Sequence, residues 1–423
     1  MEITKDIKYV GVNDHDIDLF EGQYDVRENG MAYNSYVVLG EQKVAVMDAV
    51  DAHFVDEWLG NLEAALDGRT PDYLVVHHME PDHSAGIAAF AKKYPEAQIV
   101  ASAMAFKIMA AYFGTDFSDR RVIVKEGAKL ELGGHELTFI SAMNVHWPEV
   151  LFSYDSADKV LFSADAFGKF GANDVEDPEG WACEARRYYF GIVGKFGSFV
   201  QAVLKKASAL DMEAICPLHG PVLKEDLGYY LDTYNTWSSY QPEDQGVTIA
   251  YVSVYGHLKQ GVLELASELE ARGQKVSVFD LARDDMAEAV EDAFRYDRLV
   301  LASTTYNGDI FPFMATFIHT LAEHGYQNRK VALVEAGSWA PTAAGLMRSE
   351  FQKLKNCTIL DETVTIKSTL KESQLADVDA MAQAIYDSMP KPAPAVHTAD
   401  APVEKNAFFS FSYGLFVLTA REG

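Results

Sequence analysis

Residues 75–86 read Val-Val-His-His-Met-Glu-Pro-Asp-His-Ser-Ala-Gly and place His78, Glu80, Asp82 and His83, four potential metal ligands, within six residues. Three further candidates follow apolar runs: His146 after residues 139–145, Asp165 after 160–164 and His219 after 214–218. Singly, each is an ordinary loop residue. Together, at successive strand ends downstream of the dense cluster, they point to loops converging on one site. Up to seven ligands are too many for one tetrahedral zinc and suit two metals sharing a carboxylate, with Asp165 the candidate bridge. Histidine mixed with carboxylates favours iron or manganese, and zinc stays open on ligand type alone.

These ligands must be positioned by the elements around them. Residues 72–76 predict a short buried strand running out into the cluster. Extended backbone alternates its side chains and would send His78, Glu80 and Asp82 to one side. Pro81 keeps Glu80 out of the α region, so the segment is expected to stay extended. Hairpin strands are expected between Tyr9 and Asp51 and helices over 54–66, 87–94 and 103–113. Strands are expected at 98–101, 121–124, 136–140, 150–154 and 159–163, a mixture that suits two sheets covered by helices.

Past residues 241–246 strands and helices alternate. The pattern predicts a five-stranded parallel sheet wound on both faces, with strands at 247–254, 275–279, 298–302, 330–334 and 358–360. Such sheets bind ligands at the carboxyl ends of their strands. The first of these loops carries Ser253, Tyr255, Gly256, His257 and Leu258 and offers hydroxyl and backbone donors to a phosphate at a helix N-terminus. Thr304, Thr305, Tyr306, Asn307 and Gly308 form the second, and Ser338 and Trp339 lie on the third. Tyr306 and Trp339 supply flat surfaces for an aromatic ring, so a mononucleotide such as FMN matches all three loops.

At 423 residues two domains are the natural expectation, and a net charge of −27 argues against nucleic-acid and membrane partners. Cys183, Cys216 and Cys357 are odd in number, contain no Cys-x-x-Cys pair and read as reduced core cysteines. The first residues lack the apolar core of a signal peptide, and a cytoplasmic protein is expected. A Pro/Ala linker is expected at 390–406, and 407–423 reads as the start of a further, truncated domain.

A paired-metal site and a flavin site make sense together as redox chemistry. Two irons and one flavin hold four electrons, the number that takes dioxygen to two waters, and the same store can reduce nitric oxide to nitrous oxide. The chain resembles the flavodiiron proteins, or A-type flavoproteins, over about residues 1–390. The resemblance rests on His-x-Glu-x-Asp-His at 78–83, with Glu80 where hydrolases of the same fold usually carry a second histidine, and on Tyr33-Asn-Ser-Tyr, His146-Trp-Pro, Asp165-Ala-Phe-Gly and His219-Gly-Pro.

The resemblance implies a metallo-β-lactamase-like αββα sandwich over 1–245 and a flavodoxin-like FMN-binding domain over 246–389. It also implies that His78, Glu80 and His146 bind one iron and Asp82, His83 and His219 the other, with Asp165 between them. By the same resemblance the cofactors are FMN and two iron ions, and the substrate is O2 or NO. The implied donor is rubredoxin or a flavin-reductase domain, and the implied assembly is a head-to-tail homodimer or homotetramer. The phosphate loop departs from the family in having Leu258 where Ser or Thr is usual. A dizinc hydrolase and a non-catalytic flavin electron carrier are the alternatives.

Overall fold

The computed structural model describes residues 2–390. Linker residues 391–406 and the tail at 407–423 lie outside the described residues, and so does the expectation of a truncated domain there. Residues up to Ser388 form one compact unit.

Two sheets face each other in its first part. One runs Ile7–Tyr9, Tyr36–Leu39, Val44–Met47, Tyr73–Val75, Gln98–Ser102, Arg121–Val124, with antiparallel pairing at its start and parallel pairing from Val44–Met47 onward. The other runs Lys129–Glu131, Glu136–Ser141, Leu151–Asp155, Val160–Phe162, Ala214–Cys216, and only its last pair is parallel. The period of two along each strand divides the apolar residues between two cores. Ala45 and Met47 meet Phe139, Leu151 and Phe162 between the sheets, while Val44 and Val46 turn outward onto helices. Strands buried on both faces read as unbroken apolar runs, which is why they were legible.

Outside the first sheet, Val55–Leu66 buries Trp58, Leu62 and Leu66 at four-residue spacing. Gly197–Ala207 and Leu227–Ser238 are helices packed against one another in the same unit. Those two and Trp181–Tyr188 correspond to no predicted element. Trp181–Tyr188 buries Arg186 and Arg187, which breaks the apolar stripe, and Leu227–Ser238 is rich in Tyr and Thr, residues of low helix propensity. Tertiary packing overrides local preference in both.

The expected extended course of 78–83 is overturned. Glu80 keeps an extended backbone (φ −59°, ψ 141°), but Pro81–Ser84 is a helical turn with proline in its first position. Proline there loses no hydrogen bond and has the φ a helix needs, so it starts the turn it was expected to prevent. Asp82 is thereby rotated away from His78 and Glu80.

The third sheet has the order Val276–Asp280, Asp244–Val252, Tyr296–Tyr306, Lys330–Ala336, Thr358–Ile366, all parallel. A short strand, Asp309–Ile310, pairs antiparallel with Tyr296–Tyr306. Because the first strand in sequence lies second in space, the chain reverses direction beside it, and the loops after Asp244–Val252 and Tyr296–Tyr306 meet at that switch point. The α/β class and both layered architectures agree with the sequence reading.

Candidate metal centre and nucleotide pocket

The loop after Tyr73–Val75 delivers two adjacent histidines with different fates. His77 is structural: its backbone N–H donates to Asp48 Oδ1 (2.7 Å), and its ring lies between Asp48 Oδ2 (2.5 Å) and Ser153 Oγ (2.8 Å). His78 turns the other way and joins Glu80, His146 and Asp165, whose ligand atoms all lie within 4.8 Å of one another. His78 Nε2 is 3.1 Å from Glu80 Oε2, and His146 Nε2 is 3.2 Å from the same oxygen and 3.0 Å from Asp165 Oδ2.

Asp82, His83 and His219 form a second cluster. His83 Nε2 is 3.0 Å from His219 Nε2, and Asp82 Oδ2 lies 3.2 Å from His83 and 3.3 Å from His219. Asp165 stands between the clusters: Oδ2 faces His78 and His146, and Oδ1 is 3.4 Å from His83. The helical turn that displaced Asp82 is what divides the four ligands of 78–83 into two pairs.

This donor set fits two cations. Two imidazole nitrogens 3.0 Å apart cannot hydrogen-bond when both are unprotonated, yet both can bind a metal. Both oxygens of Asp82 and Oδ1 of Asp165 are buried with no hydrogen-bond partner, a large desolvation cost that bound cations would offset. Against that desolvation, the ring of histidines holds the Asp165 carboxyl well below the usual range. Desolvation of His146 is likewise outweighed by Asp165 and Glu80, which push the imidazole up to about 9.

The tautomers are set from outside. His219 Nδ1 donates to the Ala32 carbonyl (2.8 Å) and His78 Nδ1 to Glu149 Oε1 (2.8 Å), which leaves each Nε2 lone pair for a metal. Glu149, 2% exposed, also accepts from the Met79 N–H (2.9 Å). Sequence reasoning missed Glu149, although its place beside His146-Trp-Pro was a signal. It also missed Glu21 at the rim, whose carboxyl desolvation and the nearby Glu80 push up to about 7. Phe20, Tyr33 and Tyr188 pack around His219, and Trp147 packs edge-on to His78. The result is a largely apolar wall. Gly168 allows the close approach beneath it, since a Cβ there would stand 2.9 Å from the Asp165 carbonyl.

At the switch point of the third sheet is a cavity of about 760 Å³, within the range of small-molecule sites. Every flavin-loop residue named from the sequence lines it except Gly256; Val254, Gly337 and Thr342 join them from the same loops, and Ser368 lines it from a segment that sequence reasoning missed. Gly256, with φ 86°, caps the helix His257–Ala271 in a left-handed conformation that favours glycine. The first N–H groups of that helix have no intrahelical acceptor and present a phosphate site. Ser253 Oγ accepts from the Gly256 N–H (3.1 Å) and keeps its own proton free to donate. Leu258 is 1% exposed, so at this position the chain uses the side chain for the core and has only a backbone donor to offer.

Tyr255 and Trp339 are 88% and 91% exposed. Large rings standing in water beside a cavity are available to cover a flat aromatic ligand. Thr305 Oγ1 accepts from the N–H groups of Thr342 (3.0 Å) and Ala343 (3.2 Å), tying two of the lining loops together. The cavity, its anion-binding end and its exposed rings fit FMN.

The family described as ODP family beta lactamase matches residues 31–220. A nitric oxide reductase of Moorella thermoacetica is 28% identical over 373 residues, covering 86% of this chain and 92% of that protein. Among solved structures, the rubredoxin oxygen:oxidoreductase of Desulfovibrio gigas superposes with a TM-score of 0.84 at 22% identity, covering 92% of this chain and 98% of that one. The flavodiiron protein of Giardia intestinalis superposes with a TM-score of 0.85 at 23% identity, covering 91% and 96%.

Proposed function

The chain belongs to the flavodiiron proteins, a family of oxidoreductases, and from that membership we propose that it reduces dioxygen to water, nitric oxide to nitrous oxide, or both. The observation that most supports this reading is Asp165, buried between two His/carboxylate clusters with one oxygen toward each. Two iron ions and FMN supply the electrons when bound. His78, Glu80 and His146 would hold one iron, Asp82, His83 and His219 the other, and Asp165 would join them.

The remaining work belongs to the chain. Glu149 and the Ala32 carbonyl fix the ring orientation of His78 and His219, so the site is organised before substrate arrives. Phe20, Tyr33, Tyr188 and Trp147 set apolar rings against the histidines and keep water away from them, surroundings compatible with a small, uncharged gas. In the second site the first turn of His257–Ala271 and the Ser253 hydroxyl would hold the phosphate of FMN, and Tyr255, Tyr306 and Trp339 would be available to its ring system.

The residue divisions at 245/246 and 389/390 are proposed as the functional boundaries. The proposed donor is rubredoxin or a flavin-reductase domain, and a head-to-tail homodimer or homotetramer, located in the cytoplasm, is proposed with it. Among the described residues no helix is long and apolar enough to cross a membrane. Metal analysis separates this reading from the dizinc hydrolase. Protein produced with iron and zinc both available is expected to carry two irons per chain; two zincs and no iron would exclude the diiron assignment.

A further inference from the structure

We propose that His135, Asp155 and Asp158, with Asp6 as a fourth donor, form a separate site for a divalent cation of the first transition row. The first three present ligand atoms within 4.8 Å of one another. Donors bound to one such ion at about 2.0–2.2 Å lie roughly 3–4.4 Å apart, so only a small closure is needed. His135 Nδ1 is already 3.0 Å from Asp155 Oδ2, and Nε2 is 3.8 Å from Asp6 Oδ2.

Asp155 carries the argument. It is fully buried, and its Oδ1 has no hydrogen-bond partner. A buried carboxylate oxygen left unpaired bears its full desolvation cost with nothing to offset it. Three carboxylates surround one imidazole, and among the described residues no lysine or arginine forms an ion pair with Asp6, Asp155 or Asp158. Even a protonated His135 would leave two negative charges uncompensated in a protein whose net charge is already −27. A divalent cation supplies the missing charge and a partner for Oδ1. Mixed imidazole and carboxylate ligands suit Mn2+ to Zn2+.

Position suggests what the ion does. His135 follows the left-handed Gly133 and Gly134 at a hairpin tip. Asp155 ends the strand Leu151–Asp155, and Asp158 lies in the turn beyond and accepts from the Thr4 hydroxyl. Asp6 immediately precedes the edge strand Ile7–Tyr9 of the other sheet. An ion here would staple the beginning of the chain to the second sheet, with no part in the chemistry of the diiron centre.

The test uses the full chain loaded with iron and FMN and titrated with Mn2+, the free aqua ion being followed by its electron paramagnetic resonance signal. Mn2+ binds most weakly of the first-row series and does not compete for iron sites, and ~0.15 M salt screens diffuse attraction to the acidic surface. Wild type is expected to bind one more Mn2+ per chain than Asp158→Asn or His135→Gln, and Mn2+ is expected to raise the melting temperature of wild type alone, with iron and FMN contents unchanged. Asp158 is partly exposed, so Asp158→Asn is the variant that decides the outcome if His135→Gln folds poorly. Equal Mn2+ stoichiometry in wild type and Asp158→Asn, or no bound Mn2+ in wild type, overturns the proposal.

Discussion

Replacing Asp165 with alanine is expected to reduce iron from two per chain to less than one and to lower turnover by at least roughly 10³-fold, about 4 kcal/mol in activation free energy, while FMN remains bound. The size of the effect follows from position. Asp165 is 1% exposed, and its two oxygens face different histidine clusters, so no other residue can take over either contact. Its charge matters as much as its geometry. Four histidines and two further carboxylates converge there, and without Asp165 two divalent ions would stand close together with nothing between them. Asp165→Asn keeps the shape and removes the charge, so it is expected to retain part of the metal and little of the activity. Metal content and flavin absorbance measured on one sample separate these effects. Two irons retained with turnover within tenfold of wild type would mean that Asp165 joins nothing.

The second large effect is on stability. Arg186, 3% exposed, lies on Trp181–Tyr188 in the first part of the chain. It makes paired hydrogen bonds of 2.7 Å to Glu243 and one of 3.0 Å to Glu291, which belongs to the helix Met286–Arg295 beside the third sheet. The residue thus ties the two-sheet sandwich to the third sheet. Arg186→Ala is expected to destabilise the protein by about 3 kcal/mol, the lower end of the range for breaking a buried ion pair. The lower end applies because burial already pushes Glu291 up to about 8, so it can take a proton instead of standing as a bare charge.

Glu243 gives the deficit its pH dependence. Burial opposes its ionisation, but the Arg186 hydrogen bonds hold it below its ordinary value. A carboxylate depressed in the folded state contributes stability above its unfolded pKa and loses that contribution as pH falls through the folded value. The deficit of Arg186→Ala in urea denaturation is therefore expected to be full at pH 7 and to shrink in acid below about pH 4.5. A deficit under 1 kcal/mol at pH 7 would mean that the buried pairs cost as much to desolvate as they return.

The sequence revealed most where burial is two-sided or spacing is dense. Apolar strand runs such as Val44–Met47 and the alternation after Asp244 exposed both layered architectures, because a parallel strand buried on both faces has no polar residues to blur it. The seven candidate ligands were named from their positions at strand ends, and the structure gathers all seven into two adjoining clusters. How they divide was not legible from the residues alone. Alternation along an extended segment would group Asp82 with His78, whereas Pro81 starts a helical turn and sends Asp82 to His219.

Glu149 and the Ala32 carbonyl escaped notice for a different reason. The Ala32 carbonyl reaches the site from a distant segment and is a backbone group that no side-chain pattern marks, whereas Glu149, 2% exposed, is marked only by its place just after His146-Trp-Pro. The helix Trp181–Tyr188, bearing buried Arg186 and Arg187, was missed because charges on a core face imitate a solvent face until their partners are known. Leu258 shows the converse: it departs from the expected hydroxyl, and its burial explains what the side chain does instead.

The most direct test of the central proposal is stoichiometric reoxidation. Protein loaded with iron and FMN is reduced without air and then mixed, in separate experiments, with dioxygen and with nitric oxide. Rapid, complete reoxidation of the flavin by at least one gas is expected, without accumulated peroxide when the gas is dioxygen and with nitrous oxide when it is nitric oxide. Flavin that stays reduced in the presence of both gases would contradict the account.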